Sequence, residues 1–332
     1  MTQQAWGILG AGAWGTALAL ALRRAGQDVR IWARRAQTAR SITHDHMNPD
    51  RLPGIALDPA ITASDDLASL ASCTRIIMAC PSVHLRALSA ALAPHVTTQV
   101  AVVLACKGVE AGSLNLPHEV AAQEMRHARH AVLSGPSFAH DVALGLPTAL
   151  TLACADIELG HLLAHEIGTP HFRPYVSTDV IGACMGGAVK NVLAIACGIA
   201  KGRELGDNAR AALITRGFAE MSRLGLAMGA RAETLIGLSG LGDLVLTGTS
   251  GQSRNYSLGF ALGRDLSLEE AMPPHAGVAE GLFSAQAVVA LAQRHHVDMP
   301  IARAVDAVVN QGTGVGQALH ELLSRPLRDE VG

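Results

Sequence analysis

The sequence predicts an α/β fold, in which a doubly wound, largely parallel sheet is followed by a second, all-helical C-terminal domain. Up to residue 177, short apolar runs bounded by Gly, Pro and Ser alternate with helical stretches, as is typical of a parallel sheet. A glycine-rich loop joins the first apolar run to the first helix. Beyond residue 178 only helical patterns follow. We therefore expect one domain over residues 1–178 and another over residues 179–332.

The composition excludes several classes of protein. With 332 residues, 49% of them hydrophobic and 16% charged, the chain can bury a core in each of two domains. A net charge of -2 and 3% aromatic residues offer no basic or stacking surface for nucleic acid. The six cysteines contain no C-x-x-C pair, and no basic segment precedes an apolar run at the N-terminus. We therefore expect a cytoplasmic protein with reduced thiols.

A metal site is not expected. His161 and His165 have the spacing of the two ligands in a zinc-protease helix. The residue after His161 is Leu162 rather than the glutamate of that motif.

The loop from Gly10 to Gly15 has the pattern G-x-G-x-x-G and lies between a predicted strand, residues 5–9, and a predicted helix. Gly10 permits a tight turn, Gly12 lets a pyrophosphate approach the backbone, and Gly15 lets helix and strand pack closely. This context favours a dinucleotide-binding Rossmann domain over residues 1–178. The alternative is a structural turn that merely resembles the motif.

The end of the second predicted strand, residues 29–33, indicates which cofactor is bound. A domain that reads the ribose of NAD places an acidic residue there, whereas this strand is followed by Arg34 and Arg35. Asp28 lies at the opposite end of the strand. Two guanidinium groups suit a 2′-phosphate, so we expect NADP to be preferred and NAD to be the second choice. The alternative is a solvated basic pair on a loop.

The predicted strands end in residues that suit a binding site. Further strands are predicted at 75–79, 99–105, 130–134 and 148–152. Ligands bind beyond the carboxyl ends of such strands, which all meet at one edge of the sheet. The residues at these ends are Gly10, Arg34, Pro81-Ser82, Cys106-Lys107-Gly108 and Ser134-Gly135-Pro136-Ser137. We therefore expect the site at this edge.

The stretch from Ile181 to Ala200 predicts a buried helix that carries a single charge, Lys190. Its lysine, its glycines and the neighbouring Asn191 argue against a membrane span. A buried lysine is costly unless its charge or proton is needed. The alternative is a snorkelling lysine whose amine reaches water.

The helical half contains one segment that we predict to be a loop, residues 237–253, and it includes Asp243. It leads into Ser253-Arg254-Asn255 at the start of a helix. The serine and asparagine have the residue types of helix caps. With Arg254 between them they also form a candidate phosphate site, and the pattern alone leaves both interpretations open.

Taken together, these stretches resemble the bacterial-type, NAD(P)-dependent glycerol-3-phosphate dehydrogenase family of the 6-phosphogluconate-dehydrogenase-like group. The resemblance covers nearly the whole chain. The matching stretches are GAGAWGTALA from Gly10, CKGVE from Cys106, SGPSFA from Ser134, GGAVKNVLAIACGI from Gly186, GDNARAALITRG from Gly206, GLSGLGDLVLT from Gly237, GQSRNYSLG from Gly251 and VAEG from Val278.

The resemblance implies reversible hydride transfer between NAD(P)H and dihydroxyacetone phosphate, which yields sn-glycerol 3-phosphate for glycerophospholipid synthesis. It implies that Lys190 is the proton donor and acceptor and that Lys107 contacts both substrate and cofactor. The other implied substrate residues are Gly135, Ser137, Asp243, Ser253, Arg254 and Asn255. The other implied cofactor residues are Gly10, Gly12, Ala13, Trp14, Gly15, Arg34, Arg35, Ala139, Arg254, Val278 and Glu280. Ala13 departs from the family pattern, because many members have serine there.

Three other functions are alternatives to this one. A β-hydroxyacid dehydrogenase of the same architecture should lack the Ser253-Arg254-Asn255 segment, and an NAD(P)-sensing module would need neither Lys190 nor Lys107. An opine-type dehydrogenase is more remote. The apolar C-terminal helices and the family resemblance make a homodimer the expected assembly.

Overall fold

The computed structural model describes residues 5–97, 99–272 and 279–326. Ten strands occur in this part of the chain. They are β1 (Trp6–Leu9), β2 (Val29–Trp32), β3 (Met47–Asn48), β4 (Leu52–Ala56), β5 (Thr62–Ser64), β6 (Arg75–Met78), β7 (Ala101–Leu104), β8 (Arg129–Ser134), β9 (Thr148–Cys154) and β10 (Phe172–Ser177).

Eight of these strands form one sheet, in the order β10-β9-β8-β7-β6-β1-β2-β5. The six from β8 to β5 are parallel to one another, while β9 runs antiparallel to β8 and parallel to β10. The predicted, largely parallel sheet is therefore confirmed. The two strands at one edge, β9 and β10, run antiparallel to the other six. The remaining strands, β3 and β4, form a separate antiparallel hairpin.

Fifteen α-helices surround and follow the sheet in the described residues. They are α1 (Ala13–Arg24), α2 (Ala36–Arg40), α3 (Leu85–Leu92), α4 (Pro117–Glu124), α5 (Ala139–Leu144), α6 (Ile157–Ile167), α7 (Val180–Gly202), α8 (Gly206–Ala227), α9 (Ala232–Ile236), α10 (Asp243–Thr249), α11 (Arg254–Gly263), α12 (Leu268–Ala271), α13 (Glu280–Arg294), α14 (Pro300–Asn310) and α15 (Val315–Leu323). From α7 onward the described chain contains helices and turns without strands, so the helical C-terminal domain is confirmed. The boundary at residue 178 stays a prediction.

Helix α7 is the core of the helical part. Asp179 caps its start by accepting the Gly182 N–H at 2.8 Å, and the Arg231 N–H donates to the same carboxylate at 2.8 Å. By length and composition α7 is the one helix of the described chain that could cross a membrane, but 89% of its most apolar stretch is buried inside the protein.

Glycines let other backbone pack directly against α7. A Cβ on Gly186 would collide with the Ser239 carbonyl, and one on Gly198 would collide with the Tyr256 carbonyl of α11. A Cβ on Gly187 would lie 3.0 Å from the Ser134 hydroxyl and 3.2 Å from the Lys107 side chain. The missing side chains therefore bring α7 against both α11 and the edge of the sheet.

The segment 237–253, predicted to be a loop, is largely helical, and that prediction was wrong. A π-helical turn covers Leu238–Gly242, and α10 follows at Asp243 without a break. The Gly and Ser residues of this segment disfavour a helix by propensity. The turn forms because it packs closely against two neighbours. A Cβ on Gly186 of α7 would collide with the Ser239 carbonyl, and a Cβ on Gly240 would collide with the Leu235 carbonyl of α9.

Candidate active site

Lys107, Lys190 and Asp243 meet in one buried cluster. Lys107 lies beyond the carboxyl end of β7, Lys190 in the middle of α7, and Asp243 at the first position of α10. Lys107 Nζ is 2.7 Å from Asp243 Oδ2, and Lys190 Nζ is 3.1 Å from Asp243 Oδ1. One carboxylate thus holds two ammonium groups, one through each oxygen.

Thr247 completes the surroundings of the Lys190 amine. It lies one turn after Asp243 on α10, and its hydroxyl accepts a hydrogen bond from Lys190 Nζ at 2.8 Å. The same hydroxyl donates to Asp243 Oδ1 at 3.2 Å. Lys190 has three N–H donors, so one remains for a further acceptor once Asp243 and Thr247 are bound.

Two side chains of this cluster, Lys190 and Asp243, have pKa values that differ from their usual ones. Lys190 is 7% exposed and Asp243 1% exposed, so the amine lies against a buried carboxylate instead of reaching water. Burial lowers the pKa of the Lys190 ammonium to about 8, with Asp243 opposing this change and Lys107 adding to it. Burial also tends to raise the pKa of Asp243, but Lys107 and Lys190 hold it below its usual range. The amine can therefore exchange a proton near neutral pH while the carboxylate stays ionised.

The loop after β8 lies beside Lys107. Lys107 Nζ donates to the Gly135 carbonyl at 3.1 Å, and the Ser137 hydroxyl donates to the same oxygen at 2.9 Å. Gly135 has φ +145°, and a Cβ there would lie 2.9 Å from the backbone of Leu150. The structure therefore brings Lys107, Gly135 and Ser137 together, as the sequence predicted.

The segment Ser253-Arg254-Asn255 contains one helix cap, Ser253, and one exposed cation, Arg254. The Ser253 hydroxyl accepts the Tyr256 N–H at 3.2 Å and caps α11. The Asn255 side chain is also buried and bonded within the protein. Arg254 is exposed, and its guanidinium makes no hydrogen bond to any residue within 5–97, 99–272 or 279–326.

Helices α11 and α13 meet the lysine cluster through buried polar groups. Asn255 Nδ2 donates to Asn191 Oδ1 at 2.8 Å, and the Gly281 N–H donates to Asn255 Oδ1 at 2.9 Å. Burial raises the pKa of Glu280, whereas the charges of Arg254, Lys190 and Lys107 lower it. Glu280 therefore lies close enough to Arg254 and to the two lysines to feel their charges.

The glycine loop has the shape that a dinucleotide pyrophosphate requires. Gly10 has φ +121°, and a Cβ there would be 2.7 Å from the Ala79 carbonyl. A Cβ on Gly15 would collide with the Gly10 carbonyl, while one on Gly12 would meet no atom within 4 Å. The first N–H groups of α1 have no carbonyl partner within the helix and attract anions. The residues present therefore fit a dinucleotide at the open side of Gly12.

The two arginines after β2 lie beside this loop. The Gly10 N–H donates to the Trp32 carbonyl at 3.1 Å, which places the end of β2 next to the glycine loop. Arg34 and Arg35 follow directly and are both exposed. Their side chains form no hydrogen bonds among the residues that the structure describes.

Two family models together match most of the chain. The NAD-dependent glycerol-3-phosphate dehydrogenase N-terminus matches residues 6–160, and the C-terminus of the same family matches residues 179–320. The chain belongs to the NAD-dependent glycerol-3-phosphate dehydrogenase family.

Individual members of this family are similar over their whole length. The Caulobacter vibrioides protein named glycerol-3-phosphate dehydrogenase [NAD(P)+] is 54% identical, with 100% of both chains covered. A Rhodospirillum rubrum protein of the same name is 54% identical over 98% of this chain and 93% of its own. The crystal structure of glycerol-3-phosphate dehydrogenase from Coxiella burnetii matches with a TM-score of 0.93 and 41% identity, covering 97% of this chain and 99% of that one.

Most of the site residues that the family resemblance implied lie at the edge of the sheet formed by the carboxyl ends of the parallel strands. Ala13 and Trp14 begin α1, and Ala139 begins α5, which packs on α1. Val278 lies outside the described residues. The described residues contain no group of three His, Cys, Asp or Glu side chains that could hold a metal ion.

Two features of the site were not predicted from the sequence: the role of Thr247 and the bond between Asn191 and Asn255. The spacing of Asp243 and Thr247, four residues, would place both on one helical face. Because the segment was interpreted as a loop, this signal was not used. Asn191 and Asn255 are 64 residues apart, so no local sequence pattern predicts their contact.

Proposed function

We propose that this chain is a glycerol-3-phosphate dehydrogenase [NAD(P)+], which interconverts dihydroxyacetone phosphate and sn-glycerol 3-phosphate for glycerophospholipid synthesis. Family membership supports the reaction, and one structural observation supports its chemistry. Lys190 is a buried lysine with a pKa lowered to about 8, and Asp243 joins it to a second lysine. Such an amine is suited to give and take a proton at the substrate oxygen.

The proton transfer follows from the positions of the side chains. A nicotinamide cofactor whose pyrophosphate is held at the glycine loop would supply the hydride to the substrate carbon in reduction and accept it in oxidation. Lys190 donates its proton to the ketone oxygen during reduction and removes it during oxidation. Asp243 and Thr247 occupy two of the three N–H groups of Lys190, so the third is held in a fixed direction.

Lys107 acts on the same oxygen electrostatically. Its ammonium is fixed by Asp243 and by the Gly135 carbonyl, so it is already in place when negative charge develops on the substrate. Its charge also lowers the pKa of Lys190, as does burial. We therefore assign Lys107 to charge stabilisation and Lys190 to proton transfer.

Arg254 is the proposed phosphate ligand. Its guanidinium is exposed and unbonded in the described structure, and Ser253 and Asn255 on either side are fixed by their own hydrogen bonds. Binding energy from the phosphate, which does not react, then orients the carbonyl toward Lys190. Gly135 and Ser137, the other proposed substrate residues, lie beside Lys107.

NADP is the proposed preferred cofactor, with NAD as the alternative. The support is the exposed pair Arg34 and Arg35 beside the glycine loop, where a 2′-phosphate could be bound by guanidinium groups. Ala139, Val278 and Glu280 are carried over as further cofactor positions.

The reaction can be tested with the purified protein. Dihydroxyacetone phosphate should drive rapid oxidation of NADPH. Unphosphorylated dihydroxyacetone should drive it only slowly, and pyruvate and succinic semialdehyde should not drive it. Turnover with succinic semialdehyde would favour a β-hydroxyacid dehydrogenase. Turnover of pyruvate that needs an added amino acid would favour an opine-type enzyme, and NADPH binding without any turnover would favour a sensing module.

We also propose a cytoplasmic homodimer. Exposed apolar side chains on three consecutive helices, Leu226, Ile236 and Val245, support a surface that a second copy covers. Light scattering should give about twice the chain mass of 34.4 kDa. A mass equal to one chain at micromolar concentration would exclude the dimer.

A further inference from the structure

Asn48 connects the β3–β4 hairpin to the glycine loop, although 37 residues separate it from Ala11. Its side chain is 1% exposed. The amide Nδ2 donates to the Ala11 carbonyl at 3.0 Å and to the Thr16 hydroxyl at 2.8 Å. One amide group thus bonds both the turn of the loop and the first turn of α1.

The position of Asn48 is fixed independently of the loop. Leu52 and Leu57, in and just after the second strand of the hairpin, are buried in the same core as Leu18 and Leu22 of α1. The hairpin is therefore held against α1 by apolar packing, and Asn48 presents its amide from a rigid support.

The contact with Ala11 sets the direction of the next N–H group. The Ala11–Gly12 peptide is trans, so its carbonyl and its N–H point in opposite directions. Because the carbonyl points at Asn48, the Gly12 N–H points away from the hairpin. Gly12 is also the residue of the loop at which an added Cβ meets no atom within 4 Å.

We propose that Asn48 is a positioning residue for the dinucleotide pyrophosphate. By holding the Ala11 carbonyl it fixes the Gly12 N–H in the orientation that donates to a phosphate oxygen. Its bond to Thr16 keeps the first turn of α1 in register with the loop. This inference rests on the proposed cofactor, and it assigns Asn48 a role that involves no direct contact with the cofactor.

Calorimetry with two ligands tests the proposal without any turnover. NADP⁺ carries a pyrophosphate, whereas adenosine 2′-monophosphate carries the adenosine and the 2′-phosphate alone. In Asn48→Asp the carboxylate cannot donate to the Ala11 carbonyl. The Kd for NADP⁺ should rise at least tenfold, and the Kd for adenosine 2′-monophosphate should stay within twofold.

Two further variants distinguish a specific effect of Asn48 from a general loss of structure. Asn48→Ala removes the amide without adding a charge, and it should show the same selective loss if the aspartate variant does not fold. Asn310→Ala removes an amide that donates to Asp306 at 2.7 Å, in α14 of the helical domain. This matched control should change neither Kd.

The possible outcomes separate the proposal from the function on which it rests. Equal losses for both ligands, or no loss for either in both Asn48 variants, would overturn the role of Asn48 and leave the dehydrogenase function intact. A wild-type protein that binds none of NADP⁺, NADPH, NAD⁺ and NADH would overturn both.

Discussion

At the scale of single residues, the proposed proton chemistry depends on Asp243, a buried carboxylate that two lysines share. Without it, two ammonium groups would lie close together in a buried site, which is strongly unfavourable. With it, each ammonium group has an anionic partner, and burial lowers the pKa of Lys190 to about 8. One acidic residue therefore holds both side chains on which the proposed chemistry depends.

Thr247→Val should slow turnover. The valine has a similar shape but cannot accept the Lys190 N–H, so the amine loses one of the two contacts that direct it. A hydrogen bond to a charged group is worth about 1.5–3 kcal/mol, so kcat should fall about tenfold or more. Steady-state kinetics with dihydroxyacetone phosphate would measure this.

The matched control is Thr249→Val. Thr249 is on the same helix, but it is exposed and its hydroxyl donates to the Val245 carbonyl. Its kcat should stay within about twofold of the wild type. Equal effects of the two substitutions would mean that the Thr247 hydroxyl does not direct Lys190.

At the scale of elements, the site is assembled from the ends of strands and the starts of helices. Strands β1, β7 and β8 deliver the glycine loop, Lys107 and Gly135 to one edge of the sheet. Helices α10, α11 and α13 deliver Asp243, Arg254 and Glu280 from the other side. Helix α7 packs between them and carries Lys190.

Arg254→Ala should affect phosphorylated substrate alone. If the guanidinium binds the phosphate, kcat/KM for dihydroxyacetone phosphate should fall by about a factor of ten or more, because a charge-assisted bond is lost. The slow turnover of unphosphorylated dihydroxyacetone, measured at high enzyme concentration, should be unchanged.

Arg264→Ala supplies the control for Arg254. Arg264 follows the other end of α11 and pairs with Glu204 on the surface at 2.9 Å. Neither substrate should respond to this change. A loss of less than twofold for dihydroxyacetone phosphate in Arg254→Ala would place the phosphate elsewhere.

Replacing Arg34 and Arg35 by glutamine should weaken NADPH selectively. The KM for NADPH should rise about tenfold or more, because each charge-assisted bond is worth about 1.5–3 kcal/mol, while the KM for NADH should change little. Arg126→Gln, an exposed arginine after α4, is the control and should affect neither. Equal changes for the two cofactors would show that the pair does not bind the 2′-phosphate.

Local patterns predicted some elements and not others. The strands that precede Gly10, Cys106 and Gly135 were predictable because each is a short apolar run closed by a turn residue. The turn before Asp243 was not, because its helical form depends on close packing against α7 rather than on propensity. The direction of β9 was equally hidden, since apolar runs look alike in parallel and antiparallel pairs.

At the scale of the whole molecule, the sheet and the helical domain meet at the lysine cluster. The strand pattern predicts that Lys107 and Gly135 share an edge, because parallel strands align their ends. The bridge that Asp243 forms between Lys107 and Lys190 was not predictable, since Lys107 and Asp243 are 136 residues apart. The family resemblance, rather than any local pattern, indicated which polar residues of the helical half belong to the site.

Stability should depend on Glu220, a buried carboxylate that is not part of the lysine cluster. It is 2% exposed and accepts the N–H groups of Ile301 and Ala302 at the start of α14. Burial raises its pKa to about 7, with these two bonds and Arg223 opposing the change and Asp298 adding to it. The folded state therefore binds this proton more tightly than the unfolded state does.

The sign of the pH effect follows from that difference. The contribution of Glu220 is fully present below its unfolded pKa of 4.5 and is lost as pH rises through about 7. A rise in pKa from 4.5 to about 7 corresponds to a change of at most about 3 kcal/mol in the free energy of unfolding. Urea unfolding should therefore show a steeper loss of stability from pH 5 to pH 8 in the wild type than in Glu220→Gln. Parallel curves for the two proteins would mean that Glu220 does not titrate in this range.

The pH dependence of sn-glycerol 3-phosphate oxidation tests the role of Lys190 most directly. Oxidation requires the neutral amine, so the wild-type rate should rise with pH through about 8, the lowered pKa of Lys190. In Lys190→Met, kcat should fall by about 10²–10⁴, the range for general acid–base catalysis, and this ionisation should disappear. NADPH binding should persist, and Lys201→Met, at the exposed end of the same helix, should retain the wild-type profile. A folded Lys190→Met protein with near wild-type turnover and an unchanged pH profile would contradict the proposed mechanism.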